Sequence, residues 1–353
     1  MGFARVRFNN FRNIEPREMK WSPGLNLLTG VNGSGKTNIL EGINIISGWG
    51  PLDRGTKTAS LPCWKSGSDV VQLTGQTDGS DGDIVQVKIA GRTILRLNEK
   101  QINASELRWR IPVLSFLPND MAILEDSASY RRRLLDMILA LLIPSYAVRL
   151  HDYRRGVRQK SAVLRRDMPT IVIDRAMAPL ASWIWRMREE AVMLLAECIN
   201  ELGGLPPAHI EMRLARGGAG FADDPDADYI KGLAANAEKE RILKIPFTGP
   251  HRDDIIITAD GRPAADVLSR GLRRRVAIGL MLASSDGVRR KLGKSPALLL
   301  DEVTAELDAE GRRILFSTLT ERGSQVFAAT AEPFTGGFPG SVYSVTEGRV
   351  EAL

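Results

Sequence analysis

Apolar and polar positions alternate over residues 3–8 (FARVRF), which predicts a strand with Phe3, Arg5 and Arg7 on one face and Ala4, Val6 and Phe8 on the other. A short apolar strand, LNLLTG, follows and ends at Gly30. After a glycine-rich turn, TNILEGINIISG carries apolar residues at 39, 40, 43 and 46, a helical spacing. Three strand-like runs come next: VVQLTGQT, DIVQVKIA and TILRLN. The turn signals DGSDGD and GR separate them and predict an antiparallel meander.

Beyond about residue 117 the pattern becomes helical. SYRRRLLDMILALL has an apolar stripe at 134, 135, 138, 141 and 142, and Pro144 breaks it. Two longer helical patterns, 145–167 and 174–202, flank DMPTIV. The second carries Leu180, Ile184, Met187, Ala191, Leu194, Leu195 and Cys198 at helical spacing, and GGLPP ends it. This predicts an antiparallel hairpin reaching only ~35–45 Å at the helical rise per residue. Residues 215–228, ARGGAGFADDPDAD, read as a surface loop. From 245 the chain returns to strands and turns, then a helix, the run ALLLDE, and two strand-like segments, QVFAATA and SVYSVTEGRVEAL. The simplest account is an α/β head formed by 1–116 and 245–353, with a helical lobe, 117–244, inserted into it.

Composition narrows the class. With 353 residues, 43% hydrophobic and 25% charged, the chain is neither disordered nor low in complexity. Cys63 and Cys198 build no disulfide framework, and MGFARVRFNN has no apolar export region. The longest strong apolar run near the middle, Met137–Ile143, is far short of a membrane span. A cytoplasmic protein without a membrane partner is expected. The net charge of +6 is small, yet residues 131–166 hold ten Lys/Arg against two Asp, leaving the rest slightly acidic. Such a concentration on helices suits a phosphate backbone, or else a solvated helix face. Arg149, Arg154, Arg155, Arg158 and Lys160 are the candidate DNA contacts, sequence-independent because phosphate contacts carry no sequence information. Arg131–Arg133 are instead suited to salt bridges at the junction of head and insertion.

Residues 30–37, GVNGSGKT, match G-x-x-x-x-G-K-[ST] between a strand and a helix. Backbone N–H groups from Gly30, Val31, Asn32, Gly33, Ser34 and Gly35 to Asn38 can turn toward phosphate oxygens. Lys36 can reach the β- and γ-phosphates, and Thr37 can ligate Mg²⁺. ATP and Mg²⁺ are the expected ligands. The run LLLDE, 298–302, delivers Asp301 as the Mg²⁺ partner of Thr37 and Glu302 as the residue that polarises the attacking water. Between them, LSRGLRRRVAIGLMLA places Ser269, Arg270 and Gly271 at a helix start, where an ordinary cap is the plain alternative to an anion site.

The order FNNFRNI, GVNGSGKTNILEGI, SFLPNDMAILEDSASYRRRLLD, FTGPHRDD, LSRGLRRR and ALLLDEVTAELD closely resembles the RecF family of bacterial recombination mediators over almost the whole chain. GPHRDD and YRRRLLD are quite specific to that family, whereas the Walker and signature elements are shared by all ABC-type heads; the family is similar in head architecture to Rad50 and the SMC proteins. The resemblance implies an ABC-type P-loop ATPase head with a mixed β core. It implies that Ser269, Arg270 and Gly271 grip the nucleotide of a second subunit, and that Glu306, Leu307 and Asp308 form a D-loop touching that subunit. It further implies an ATP-dependent homodimer on single- and double-stranded DNA near gaps, associated with the nucleoid. RecR and RecO would be partners in RecA loading, with weak DNA-stimulated ATP hydrolysis acting as a switch. Two departures suit slow turnover: Leu272 with Arg273–Arg275 follows Gly271 where a glutamine is usual, and Thr330 stands where a switch histidine is common. Asn119 and Asp120 are candidate Q-loop residues, Arg12 and Asn13 candidates near the base, and His251–Arg252–Asp253 either structural or nucleotide-proximal. The alternative is an SMC-like or ABC ATPase subunit of another DNA or transport assembly. An SMC motor would need a long coiled coil, a transporter subunit would lack GPHRDD and the insertion, and an OLD-type nuclease would need an additional acidic Toprim cluster.

Overall fold

The computed structural model describes residues 2–53, 55–78, 82–125, 127–202, 208–220, 224–302, 307, 309–331 and 338–353. In chain order, the first segment contains β1 (Phe3–Asn9), β2 (Glu18–Lys20), β3 (Leu25–Thr29), α1 (Lys36–Ile46), β4 (Val71–Thr77), β5 (Ile84–Ala90), β6 (Arg92–Leu97), β7 (Lys100–Gln101), α2 (Ala104–Arg110) and β8 (Val113–Phe116). The middle segment contains α3 (Ala128–Leu142), α4 (Tyr146–Arg165), α5 (Ile171–Asn200), β9 (Ile210–Ala215), α6 (Pro225–Leu243), β10 (Asp254–Ala259), β11 (Arg262–Pro263), α7 (Ala264–Val267) and α8 (Arg270–Leu292). The chain closes with β12 (Ala297–Asp301), α9 (Ala309–Arg322), β13 (Val326–Thr330), β14 (Ser341–Thr346) and β15 (Arg349–Ala352).

These elements form two compact units, Met1–Ala122 with Ser285–Leu353, and Ile123–Ser284. The boundaries differ from the expected 117 and 244. The strand β10 pairs antiparallel with β9 of the middle segment, from Asp254↔Ala215 to Ala259↔Ile210, which draws residues beyond 244 into the second unit. The return boundary falls inside α8, between Ser284 and Ser285.

The first unit has two sheets. One is antiparallel, in the order β2-β1-β4-β5-β6-β7, and contains the expected meander. The other has the order β15-β14-β3-β13-β12-β8, with β3, β13, β12 and β8 parallel. Helix α1 lies between them, touching β4 and β5 on one side and β12 and β13 on the other. Its Ile39, Leu40, Ile43 and Ile46 are fully buried with Phe3, Phe8, Leu73, Leu299 and Phe327. Burying each such aliphatic side chain contributes about 2 kcal/mol. Strand β1 departs from the expected alternation. A register shift between Phe3 and Arg5 turns Phe3 to the core face that Val6 and Phe8 occupy, while Arg5 and Arg7 stay exposed.

In the second unit α4 and α5 form the expected helical hairpin, and α6 packs on α5. Helix α6 begins at Pro225, inside the stretch that the turn residues mark as loop, because Asp224 accepts from Asp226 N and Ala227 N as its cap. Strand β9, which the sequence pattern did not announce, completes a three-stranded sheet, β11-β10-β9. Among the described residues, no helix is long and apolar enough to cross a membrane.

Candidate functional site

The parallel strands all end on one edge of their sheet. Thr330↔Thr29, Asp301↔Ala329 and Leu300↔Phe116 are paired, so the loops after β3, β13, β12 and β8 leave the same side. In open α/β sheets this carboxyl edge is where ligands bind. The loop 30–35 follows β3 and passes directly into α1, whose N-cap, Gly35, has no side chain to satisfy the first amides. Those amides, with the helix dipole, form an anion site. Gly30 is required there, because a Cβ would overlap the Val345 carbonyl and crowd Ser34 Oγ.

Inside this loop the Lys36 ammonium is almost fully buried. It donates to the carbonyls of Gly30 (2.8 Å) and Val31 (3.2 Å) and lies 3.8 Å from Glu302 Oε1. The Thr37 hydroxyl sits 3.0 and 3.1 Å from the two carboxylate oxygens of Asp301. Burial raises the Asp301 pKa, and the Thr37 hydrogen bond partly offsets that. Glu302 has φ 50 and accepts from the Ala331 amide at 3.1 Å, which fixes its carboxylate between the ends of β12 and β13. The residues therefore fit a polyphosphate with a hard cation. Ser34 Oγ is buried without a hydrogen-bond partner among the described residues, an ammonium stands at the loop centre, and a hydroxyl adjoins a carboxylate as oxygen-only ligands.

Two segments back the loop. Asn13 Nδ2 donates to the carbonyls of Gly33 (3.3 Å) and Ser34 (3.4 Å), and its Oδ1 accepts from Asn38 at 2.8 Å. The β14–β15 turn places the Gly348 amide 2.7 Å from the Ser34 carbonyl. Asn13 thus braces the loop. Arg12 pairs with Glu41 of α1 at 2.9 Å and donates to Ser60 O at 3.1 Å, so its guanidinium is engaged. Asp120 Oδ2 accepts from Leu117 N at 2.8 Å, closing its own turn just past β8, while Asn119 is exposed. Thr330 is buried at the end of β13. Leu307 is buried, and the companion candidates Glu306 and Asp308 lie outside the described residues.

In the second unit, Ser269 sits at the start of α8. Its Oγ accepts from Leu272 N at 3.4 Å, a weak cap, and Arg270 and Gly271 beside it are exposed. Arg273 is turned away, donating to Leu268 O at 2.9 Å and pairing with Glu125 at 3.2 Å. The GPHRDD segment is structural. Asp253 is fully buried and accepts from Trp185 Nε1 (2.7 Å), Arg188 (2.6 Å) and Gly217 N (2.9 Å). Its carboxyl is nonetheless pushed up to about 6, by burial. Burial likewise holds the His251 imidazole down at about 4, and Tyr153 OH lies 2.7 Å from its Nδ1. Arg252 Nε donates to Pro246 O at 3.1 Å. Arg188, which the sequence reading passed over among the other charged residues of α5, joins Asp136 (2.8 Å) to Asp253. Arg131 pairs with Asp254 at 2.6 Å, and Arg132 donates to Asp253 O, so these arginines act within the second unit.

The basic run divides. Lys160 is buried between Asp174 (2.7 Å) and Glu240 (2.6 Å) and is withdrawn from the DNA candidates, because its helical position faces α5 and α6. Arg154 pairs with Asp136 at 2.8 Å, and Arg149 stacks 4.4 Å over the Trp183 ring. Arg155 and Arg158 are exposed and have no ion-pair partner among the described residues.

A family model described as "AAA domain" matches residues 5–113. The DNA replication and repair protein RecF of Heliobacterium modesticaldum is 29% identical over 345 residues, 94% of this chain and 92% of the relative. The solved structure of the recombination mediator protein RecF-ATP in the RecFOR pathway superposes with a TM-score of 0.85 at 21% identity, over 100% of this chain and 97% of that one. The RecF-ATPrS structure reaches 0.88 over 99% and 98%. An Smc head bound to the C-winged helix domain of ScpA reaches 0.57 at 15% identity, covering 100% and 97%. These superpositions place the fold with the RecF and Smc ATPase heads. The RecF of Anaeromyxobacter sp. (strain Fw109-5) is 30% identical over 347 residues, 94% of this chain and 93% of the relative, and with that shared span the chain belongs to the RecF family.

Proposed function

We propose that this protein is an ATP-dependent DNA-binding switch of recombinational repair and replication restart, dimerising around ATP near single-strand gaps and acting with RecR and RecO to assist RecA loading. The observation that carries the reading is the convergence of Lys36, Thr37, Asp301 and Glu302 on the carboxyl edge of the parallel strands. The amides of residues 30–38 and the Lys36 ammonium hold the β- and γ-phosphates. Thr37 and Asp301 hold Mg²⁺, which when bound neutralises charge across the transferred phosphoryl group. Glu302, fixed by the Ala331 amide, orients the attacking water and accepts its proton. The exposed start of α8, with Ser269, Arg270 and Gly271, takes the nucleotide of the second protomer, and Glu306, Leu307 and Asp308 complete that contact. Thr330 in place of a basic switch residue keeps hydrolysis slow, so ATP works as a clamp. Arg155 and Arg158 carry the DNA backbone contacts, with Arg149 and Arg154 beside them. The names of the relatives, DNA replication and repair protein RecF, support the pathway, and the RecF-ATP structure supports the ligand.

Fluorescence anisotropy of a labelled gapped duplex, titrated with protein in ATP, ADP or no nucleotide, tests this. Tighter binding in ATP than in ADP is expected. Equal affinity in all three conditions would refute a nucleotide-controlled DNA switch.

A further inference from the structure

Five of the large apolar side chains left exposed in the second unit gather where α4 turns into α5 and where α6 ends. Met168, Ile171 and Val172 belong to the first turn; Ile242 and Leu243 close α6. Between these segments lies a cavity of about 410 Å³, walled by Leu164, Met168 and Leu233 with Asp174 and Glu240 at its polar side. That volume lies within the ~300–1,000 Å³ of ligand-holding clefts.

The walls are pinned from beneath by charge. Buried Lys160 of α4 joins Asp174 of α5 to Glu240 of α6, Thr170 Oγ1 donates to Asp174 at 2.7 Å, and Glu240 accepts from Phe247 N at 2.6 Å. Asp167 and Lys244, each in the left-handed region at φ 55 and φ 57, pair across the two turns. Met168, Ile171, Val172, Ile242 and Leu243 stay exposed on the two segments that these ties join, and exposed apolar surface gathered in this way suits an interaction site.

The charge around the rim selects the partner. Its exposed carboxylates are already paired, Asp167 with Lys244 and Glu238 with Arg241. Arg165, Arg166 and Arg175 have no ion-pair partner among the described residues. Methyl and thioether groups gain nothing from a phosphate backbone, so nucleic acid does not fit the centre of this surface. We propose that it docks an acidic peptide segment of another protein. One or two leucine or phenylalanine side chains would enter the cavity, and flanking Asp or Glu would meet Arg165, Arg166 and Arg175.

The test is selection of a random-peptide display library on the full chain, followed by anisotropy with the enriched peptides, synthesised and labelled, on wild type, Val172→Asp and Ile242→Asp. Both positions are exposed, and unchanged melting temperatures establish that the variants fold. The expected result is enrichment of acidic sequences with a pair of apolar residues, bound about tenfold more weakly by either variant. The Lys36→Met chain, altered in the other unit, should bind them like wild type. Enrichment of basic sequences, or of none sensitive to the variants, would overturn the proposal. So would a change of oligomeric state in the variants, which would make a second copy the occupant. Loss of duplex affinity in the variants as large as that in Arg155→Glu would make DNA the occupant and equally overturn it.

Discussion

Replacing Lys36 by methionine keeps the length of the side chain and removes only its charge and donors. In the ligand-free protein the ammonium satisfies the carbonyls of Gly30 and Val31 and lies near Glu302. Its loss weakens those groups by about 1 kcal/mol each. Relief of a buried charge offsets part of this, so the melting temperature should move by only a few degrees. With ATP the balance differs. An ammonium has three donors, and the two carbonyls engage only two of them. A charge-assisted contact to phosphate contributes about 1.5–3 kcal/mol, or about 10- to 150-fold in Kd. Isothermal titration with ATP and Mg²⁺ reads this directly, next to a thermal melt of the same samples. An affinity within about threefold of wild type would refute the assignment of Lys36 to the phosphates. A loss of stability much beyond a few degrees would make it a structural lysine instead.

Between about pH 4 and 6.5 an unfolded histidine binds a proton that buried His251, held at about 4, does not, so this group makes stability rise with pH across that window. Asp253 acts in the opposite sense. Its carboxyl, raised to about 6, keeps in the folded state a proton that the unfolded chain has lost, so stability falls as pH rises from about 4 to 6. The two oppose each other in wild type, and His251→Gln, which removes the rising contribution, should show stability falling more steeply than wild type from pH ~4 to ~6 in denaturant titrations; a slope equal to that of wild type would count against a neutral buried imidazole. Arg155→Glu and Arg158→Glu should each weaken duplex binding and reduce its salt slope by about one, whereas Lys160→Ala should instead destabilise the fold by about 3–5 kcal/mol, since Asp174 and Glu240 lose their shared cation. An unaltered melt for Lys160→Ala would contradict the buried triad. Gly348→Ala should cost more than about 2 kcal/mol, because φ is +83 and the new Cβ would overlap Asn13 O, and it should weaken ATP binding through the Ser34 contact. A variant that melts like wild type would mean that the turn moves freely.

What could be read from the sequence was what is local. The loop 30–37 and the Asp301–Glu302 pair stand at strand ends whose neighbours in the chain already announce them, and the strands β4 to β6 follow one another through tight turns. The errors came from long-range pairing. Nothing near residue 254 says that β10 will pair with β9 rather than join the ATPase head, so the expected boundary at 244 misses by forty residues. A run of basic residues on a helix does not declare which faces neighbouring acids, which is why Lys160 looked like Arg158. Phe3 changed face through a bulge that leaves no compositional mark. Gly348 carried a faint signal, an EGR turn between alternating residues, but its contact with Ser34 spans most of the chain and is visible only in three dimensions.

The central proposal, that ATP assembles two copies of this chain through Ser269 and Gly271, is tested most directly by sedimentation velocity of Glu302→Gln, which is expected to retain the site and to slow hydrolysis. With ATP and Mg²⁺ the account predicts a dimer that ADP does not support, that gapped duplex strengthens and that Ser269→Arg abolishes. A monomer under every one of these conditions, at protein concentrations where ATP is shown by titration to be bound, would contradict it.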